Sequence, residues 1–408
     1  MKKEFPEGFL WGAATASYQV EGGIENNDWA RAAREGRVPE CGRACDHYHR
    51  YEEDFDIAKS LGHNAHRFSI EWSRIEPEEG KFDEVEIEHY RRVLQALQAR
   101  GLTPIVTLWH FTLPEWFVKT GGFERKDAPE VFARYCAQVV SELGSEFRMV
   151  STMNEPMVFA GLGWLKGNWP PFKAFALAKN LSITTSGNDD KAQSEYGWRN
   201  YFTYQRVVKN LARAHSTAYR AIKAIQPTMQ VDFVKHVVAF DANSNPVHKL
   251  HAWFGDRFLN HSFLRRVYKD CDAIGLNYYH YVRRGDKTEH KKTDMGWDMV
   301  PEGIYRALQI LWRYKKPIYI SEAGLADHDD SDRAEYITKQ VEATWRAIQD
   351  GVDVRGHMYW SLLDNYEWAL GFEKRFGLVE INYDTMERTI RPSAYVYKNI
   401  IENNGIVE

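Results

Sequence analysis

Two glutamates in this chain stand where predicted strands stop, and their type and setting suit them to chemistry. Glu155 closes the stretch Met149-Val150-Ser151-Thr152-Met153-Asn154-Glu155-Pro156, an apolar run ending in an amide, a carboxyl and a proline that cannot continue a central strand. Glu322 ends Pro317-Ile318-Tyr319-Ile320-Ser321-Glu322, ahead of Ala323 and Gly324. Two carboxyl groups facing each other across a cleft can cleave a glycosidic bond. One protonates the leaving oxygen, while the other attacks the anomeric carbon or activates water there. A carboxylate at a strand end can equally cap a helix or pair with an arginine. The pair therefore takes its meaning from the elements that bring it together.

Those elements alternate along the whole chain. Strand patterns occur at residues 10–17, 65–70, 103–108, 149–154, 230–236, 273–278, 317–322 and 357–362. Between them run helical patterns, among them 85–100, 128–143, 204–225, 302–314 and 333–350, with Gly101 and Gly351 as helix stops. Eight strand-then-helix units predict an α/β protein, a (β/α)8 TIM barrel forming a single domain over residues 1–408. The competing doubly wound sheet lacks support, since no Gly-rich phosphate fingerprint follows an early strand. In a barrel, Glu155 and Glu322 share the rim at the carboxyl ends of the strands. Two stretches break the rhythm. Residues 182–201 are polar and aperiodic and are expected to form a mobile loop, 241–246 is expected to be another loop, and the span between the fifth and sixth strands is expected to be brief.

Bulk properties narrow the partners. The net charge is -4, and no Lys/Arg run has the clustering of a nucleic-acid or anionic-lipid surface. No window approaches the ~18 apolar residues of a membrane span, so neither nucleic acid nor membrane is expected and a cytoplasmic location is. Four cysteines, Cys41, Cys45, Cys136 and Cys271, are too few and too scattered for a disulfide framework. Cys41 and Cys45 near His47 and His49 read as free thiols rather than a metal site. His63, His66 and His110 likewise form no ligand cluster at the strand ends. The 14 Trp and 22 Tyr supply flat faces of the kind that pack against a sugar ring.

Separate blocks of sequence, in order, resemble glycoside hydrolase family 1, the β-glucosidase family. They are F-P-E-G-F-L-W-G-A-A-T-A-S-Y-Q-V-E-G at 5–22, R-F-S-I-E-W-S-R-I at 67–75, T-L-W-H-F at 107–111, T-M-N-E-P at 152–156, G-L-N-Y-Y at 275–279, I-S-E-A-G at 320–324 and Y-W-S-L-L-D-N-Y-E-W-A-L-G-F-E-K-R-F-G-L at 359–378. The resemblance implies a retaining β-glycosidase of small β-glucosides or short β-linked oligosaccharides, without cofactor or metal. Glu155 would be the acid/base and Glu322 the nucleophile. Gln19, His110, Asn154, Glu367 and Trp368 would hold the sugar hydroxyls above Trp360. Arg67 and Tyr279 would support the nucleophile, with Asn277 and Phe376 beside them. The chain departs from the family in reading S-E-A-G where T-E-N-G is usual, and in placing Phe111 where many members have tryptophan. A 6-phospho-β-glycosidase would need a cationic pocket, which Glu367 opposes, and a non-catalytic sugar-binding barrel would lack one of the two carboxylates.

Overall fold

The computed structural model describes residues 2–175, 198–285 and 288–407. Its centre is a closed barrel of eight parallel strands in chain order: β1 (Leu10–Ala14), β2 (Ala65–Ser69), β3 (Thr103–Thr107), β4 (Met149–Asn154), β5 (Gln230–Ala242), β6 (Ile274–Arg284), β7 (Ile318–Ala323) and β8 (Val354–Trp360). Closure is made by β1 on β8, from Leu10 opposite Gly356 to Ala14 opposite Trp360. The strands approach closely there and at β2, where a side chain on Gly12 would run into the Ala65 carbonyl at 1.9 Å.

The helices that ring the barrel are α1 (His47–Ser60), α2 (Glu84–Ala99), α3 (Ala128–Leu143), α4 (Pro156–Trp164), α5 (Trp198–Ile225), α6 (Pro246–Gly255), α7 (His261–Val267), α8 (Ile304–Trp312), α9 (Arg333–Gln349) and α10 (Pro392–Glu402). Helix α2 shows how the sequence builds them. Asp83 accepts from the backbone N–H of Val85 at 2.9 Å and of Glu86 at 3.2 Å, filling two donors that a helix start leaves open. Ile87, Tyr90, Val93, Leu94 and Leu97 then share one buried face, and Gly101 turns the chain at φ 69°. The main core lies between this ring and the barrel, and a smaller one, including Ala14, Ala65, Ile105, Met149 and Met358, fills the barrel itself. A short antiparallel ribbon pairs Lys3–Glu4 with Gly405–Ile406 and ties the two ends of the chain together.

Several sequence expectations need correction. The first strand stops at Ala14, and Ser17–Val20 forms one helical turn, so Gln19 sits on that turn. Residues 198–201, placed in a loop from sequence, open the 28-residue helix α5, where Tyr204, Val207, Leu211 and Ile222 supply the buried stripe. The rest of the 182–201 loop assignment lies outside the described residues. Asp241 and Ala242 belong to β5, and the span to β6 is not brief: it carries α6, a π turn at Asp256–Asn260 and α7. Both β5 and β6 continue past the barrel rim as a paired ribbon, up to Ala242 opposite Arg284.

Candidate active site

Glu155 is the residue between β4 and α4, and its backbone is left-handed at φ 42° and ψ 57°. A non-glycine residue there stores of order 1–3 kcal/mol, which the surroundings must hold in place. They do so from both sides. Its N–H donates to the Val234 carbonyl of β5 at 3.0 Å, and Pro156 begins α4 with a φ already suited to a helix. The turn aims the carboxyl inward over the barrel mouth. Glu322 reaches the same cleft from β7.

The two carboxyls are held very differently. Glu322 Oε1 accepts from the Arg67 guanidinium at 2.5 Å, and its Oε2 accepts from the Tyr279 hydroxyl at 2.9 Å. Glu155 Oε1 accepts a single neutral bond, from Asn277 Nδ2 at 2.6 Å. Burial raises the Glu155 pKa first and the Glu322 charge second, to about 8, against smaller opposing pulls from Asn277, Lys235 and Arg67. Lys235 is itself buried, and burial brings its amine down to about 8. Glu367, on the opposite wall, is also pushed to about 8 by burial and then by Glu322. Carboxyls that hold their protons through neutral pH thus lie beside one clamped by a guanidinium.

Asn154 and Asn277 lock this arrangement. Asn154 Oδ1 accepts from Arg67 at 2.9 Å and from Asn277 at 3.2 Å, which fixes its amide so that Nδ2 donates to His110 Nε2 at 3.2 Å. His110 Nε2 is therefore the acceptor, and the ring proton sits on Nδ1. Burial, aided by Arg67, holds this imidazole neutral. His110 Nδ1 has no protein partner, and neither does Gln19 Oε1, whose amide nitrogen is taken up by Asn365 at 3.0 Å and the Tyr366 carbonyl at 2.8 Å. One donor and one acceptor, both inside the fold and both unfilled, are what a pair of sugar hydroxyls would complete. Trp360 and Trp368 each lie nearly parallel to His110, at 6.0 and 6.1 Å between ring centres. Phe111 packs edge-on against Trp368 at 5.2 Å, and Phe376 edge-on against Tyr279 at 6.2 Å.

All twelve residues singled out from sequence gather at this end of the barrel. The cleft they form opens at the carboxyl ends of the barrel strands. Its outer wall includes residues that the sequence reading passed over: Trp169, His236, His280, Met295 and Trp297. His236 Nε2 and His280 Nδ1 are 3.2 Å apart, and the His280 ring lies 4.3 Å from that of Trp297. The one sequence signal for any of them is that His280 directly follows G-L-N-Y-Y. Of the other histidines weighed from sequence, His47 bonds Asp54 at 2.7 Å, His49 bonds Asp46 at 2.8 Å and His66 meets Thr15 at 3.2 Å, while His63 is buried with neither ring nitrogen hydrogen-bonded. Among the described residues no group of three or more His, Cys, Asp or Glu side chains is placed to hold a metal ion.

Known proteins share this architecture over their full length. The sequence model of glycosyl hydrolase family 1 matches residues 1–286 and 259–406. The β-glycosidase from Pyrococcus horikoshii superposes with a TM-score of 0.88 at 38% identity, covering 100% of this chain and 97% of its own. Beta-glucosidase A of Thermotoga maritima is 33% identical over 469 residues, covering 99% of both chains. The bifunctional beta-D-glucosidase/beta-D-fucosidase of Bifidobacterium breve is 29% identical over 460 residues, covering 98% of this chain and 99% of its own. With the barrel, the paired carboxyls and these full-length matches together, the chain belongs to glycosyl hydrolase family 1 and is a glycoside hydrolase.

Proposed function

We propose that the protein is a retaining β-glucosidase, with side activity on β-galactosides and β-fucosides, that removes terminal non-reducing sugars by double displacement. The observation that carries this reading is the contrast between the two carboxyls: Glu322 clamped by Arg67 and Tyr279, Glu155 buried and protonated at neutral pH. In the first step the Glu322 carboxylate attacks the anomeric carbon. The glycosidic C–O bond breaks, and the Glu155 proton passes to the departing oxygen. Once the glycosyl ester has formed, Glu322 is neutral and one cause of the high Glu155 pKa is gone. Glu155, now a carboxylate, takes a proton from water as that water attacks the anomeric carbon, and Glu322 leaves as carboxylate. Both displacements invert, so the product keeps the β configuration.

Gln19 Oε1, His110 Nδ1 and Glu367 supply the directional contacts for the sugar, and Trp360 its apolar platform. The names of the relatives support glucose and fucose as the sugars. A 6-phosphorylated sugar is disfavoured, because Glu155, Glu322 and Glu367 face the cleft while no lysine or arginine is among its lining residues. All four cysteines are buried and unpaired, which supports a reducing compartment such as the cytosol. The test is proton NMR of the anomeric signal during hydrolysis of a nitrophenyl β-glucoside. The β product should appear first and then mutarotate; α product appearing first refutes the mechanism.

A further inference from the structure

The β5–β6 ribbon carries α6 well outside the barrel. From His236 in the cleft wall to Ala242 is six residues of strand, roughly 20 Å, and α6 follows immediately on the same rim. The helix is seated on the ribbon by one face only. Ala252 packs with Val238 and Phe240, and Gly255 lies so near the Phe240 ring that a side chain there would meet it at 2.8 Å. The opposite face is apolar and bare: Val247, Leu250, Trp253 and Phe254 are each more than half exposed, and Phe258 continues the stripe at 38%. Their spacing sets them on about 140° of the helix circumference. Large side chains left in water at that density mark a contact surface.

The charge around this stripe decides what it contacts. The stripe's own stretch, residues 246–260, holds two exposed basic side chains, Lys249 and Arg257, and a single acid, Asp256. Asp256 is buried and already bonded to His261 at 3.2 Å and Arg313 at 3.3 Å. With Asp256 buried, the exposed charge of residues 246–260 is wholly positive, in a chain whose total is -4. A second copy seated on this face across a two-fold axis would bring like charges together. An anionic bilayer accepts both features at once, with Trp253, Phe254 and Leu250 entering the headgroup boundary while Lys249 and Arg257 meet lipid phosphates. We propose that α6 is a peripheral docking helix for an anionic lipid surface, which would hold the mouth of the cleft towards the membrane. The sequence conceals it because its basic residues are interleaved with the apolar ones rather than clustered in a run.

The experiment is vesicle flotation of the full chain. Phosphatidylcholine vesicles carrying phosphatidylglycerol should recover the protein at low ionic strength, phosphatidylcholine alone should recover little, and high salt should release it. Trp253→Ser with Phe254→Ser should lower the bound fraction roughly tenfold, and Lys249→Glu with Arg257→Glu should do the same. Both variants should keep hydrolysis of nitrophenyl glucoside and the melting temperature, since no side chain of α6 lines the cleft. No recovery with anionic vesicles overturns the proposal, as does recovery that neither variant reduces. A dimer in sedimentation velocity that Trp253→Ser with Phe254→Ser dissociates, without any vesicle binding, also overturns it and assigns the face to a second copy.

Discussion

Asn277→Ala should move the alkaline limb of catalysis upward. The Asn277 amide donates to Glu155 at 2.6 Å and has a carboxylate's lone pair as its acceptor, so it favours the ionised form and holds the Glu155 pKa below where burial and Glu322 would set it. A hydrogen bond to a charged group contributes about 1.5–3 kcal/mol, and about 1.36 kcal/mol corresponds to one pH unit of titration. Water entering the space left by the side chain offsets part of this, which leaves a rise of roughly one pH unit from about 8. Asn277 also bonds Asn154 and accepts from Ser321 at 2.9 Å, so the variant should lose kcat as well, by roughly tenfold to a hundredfold through misplacement of the carboxyls. The assay is kcat/KM against pH with phenyl β-glucoside, whose poor leaving group needs the acid. Dinitrophenyl β-glucoside, which does not, is the control and should lose rate without a shift of its alkaline limb. An alkaline limb for phenyl glucoside that stays in place or moves down refutes the assignment of Glu155 as the acid.

Three further outcomes follow from the same geometry. Glu322→Gly should abolish hydrolysis yet transfer the sugar of an α-glycosyl fluoride to an acceptor, because the fluoride replaces the covalent intermediate; retained hydrolysis would mean that another group is the nucleophile. Glu155→Ala should still form the intermediate from dinitrophenyl glucoside and then stall, with azide restoring turnover and yielding a β-glycosyl azide detectable by mass spectrometry. Glu367→Gln should unfold at a higher temperature than the parent protein above pH 8. A carboxyl whose folded pKa is raised destabilises the fold increasingly as pH climbs from its unfolded value to its folded one, so the difference should be small at pH 4 and about 1 kcal/mol at pH 9, discounted because Glu367 keeps partial exposure. Equal melting curves at pH 9 would show that the carboxyl is not desolvated.

The barrel was legible because its strands are short apolar runs with polar ends, and Glu155 and Glu322 because each is such an end. The same habit of reading misled at β5. Lys235 and His236 look like a polar terminus, but Val237-Val238-Ala239-Phe240 resumes the apolar pattern and carries the strand through to Ala242. That error hid the ribbon of β5 on β6. The sequence pattern starts helix α5 six residues late because Trp198-Arg199-Asn200-Tyr201 joins a polar stretch, while in space the Tyr201 ring packs tilted against Phe175 at 5.4 Å. The cleft wall of His236, His280 and Trp297 was hidden for a different reason. Each comes to the site through contacts between distant segments, which no local pattern encodes. Gln19 lines the cleft although the periodicity carries its strand too far, because the motif around it fixes position better than periodicity does.

The closure of the barrel also sets a timetable for synthesis. β1 finds one neighbour, β2, early, but its other neighbour is β8, some 340 residues further along the chain. At ~5–20 residues per second a ribosome needs roughly 17–70 s to make that stretch. Throughout that interval Leu10–Ala14 presents an unpaired strand edge, a template for pairing with other nascent chains. The ribbon of Lys3–Glu4 on Gly405–Ile406 waits longer still, until Gly405 and Ile406 have left the exit tunnel. Slower translation between β1 and β8 therefore lengthens the exposure of the first strand, even though it changes nothing in the finished fold.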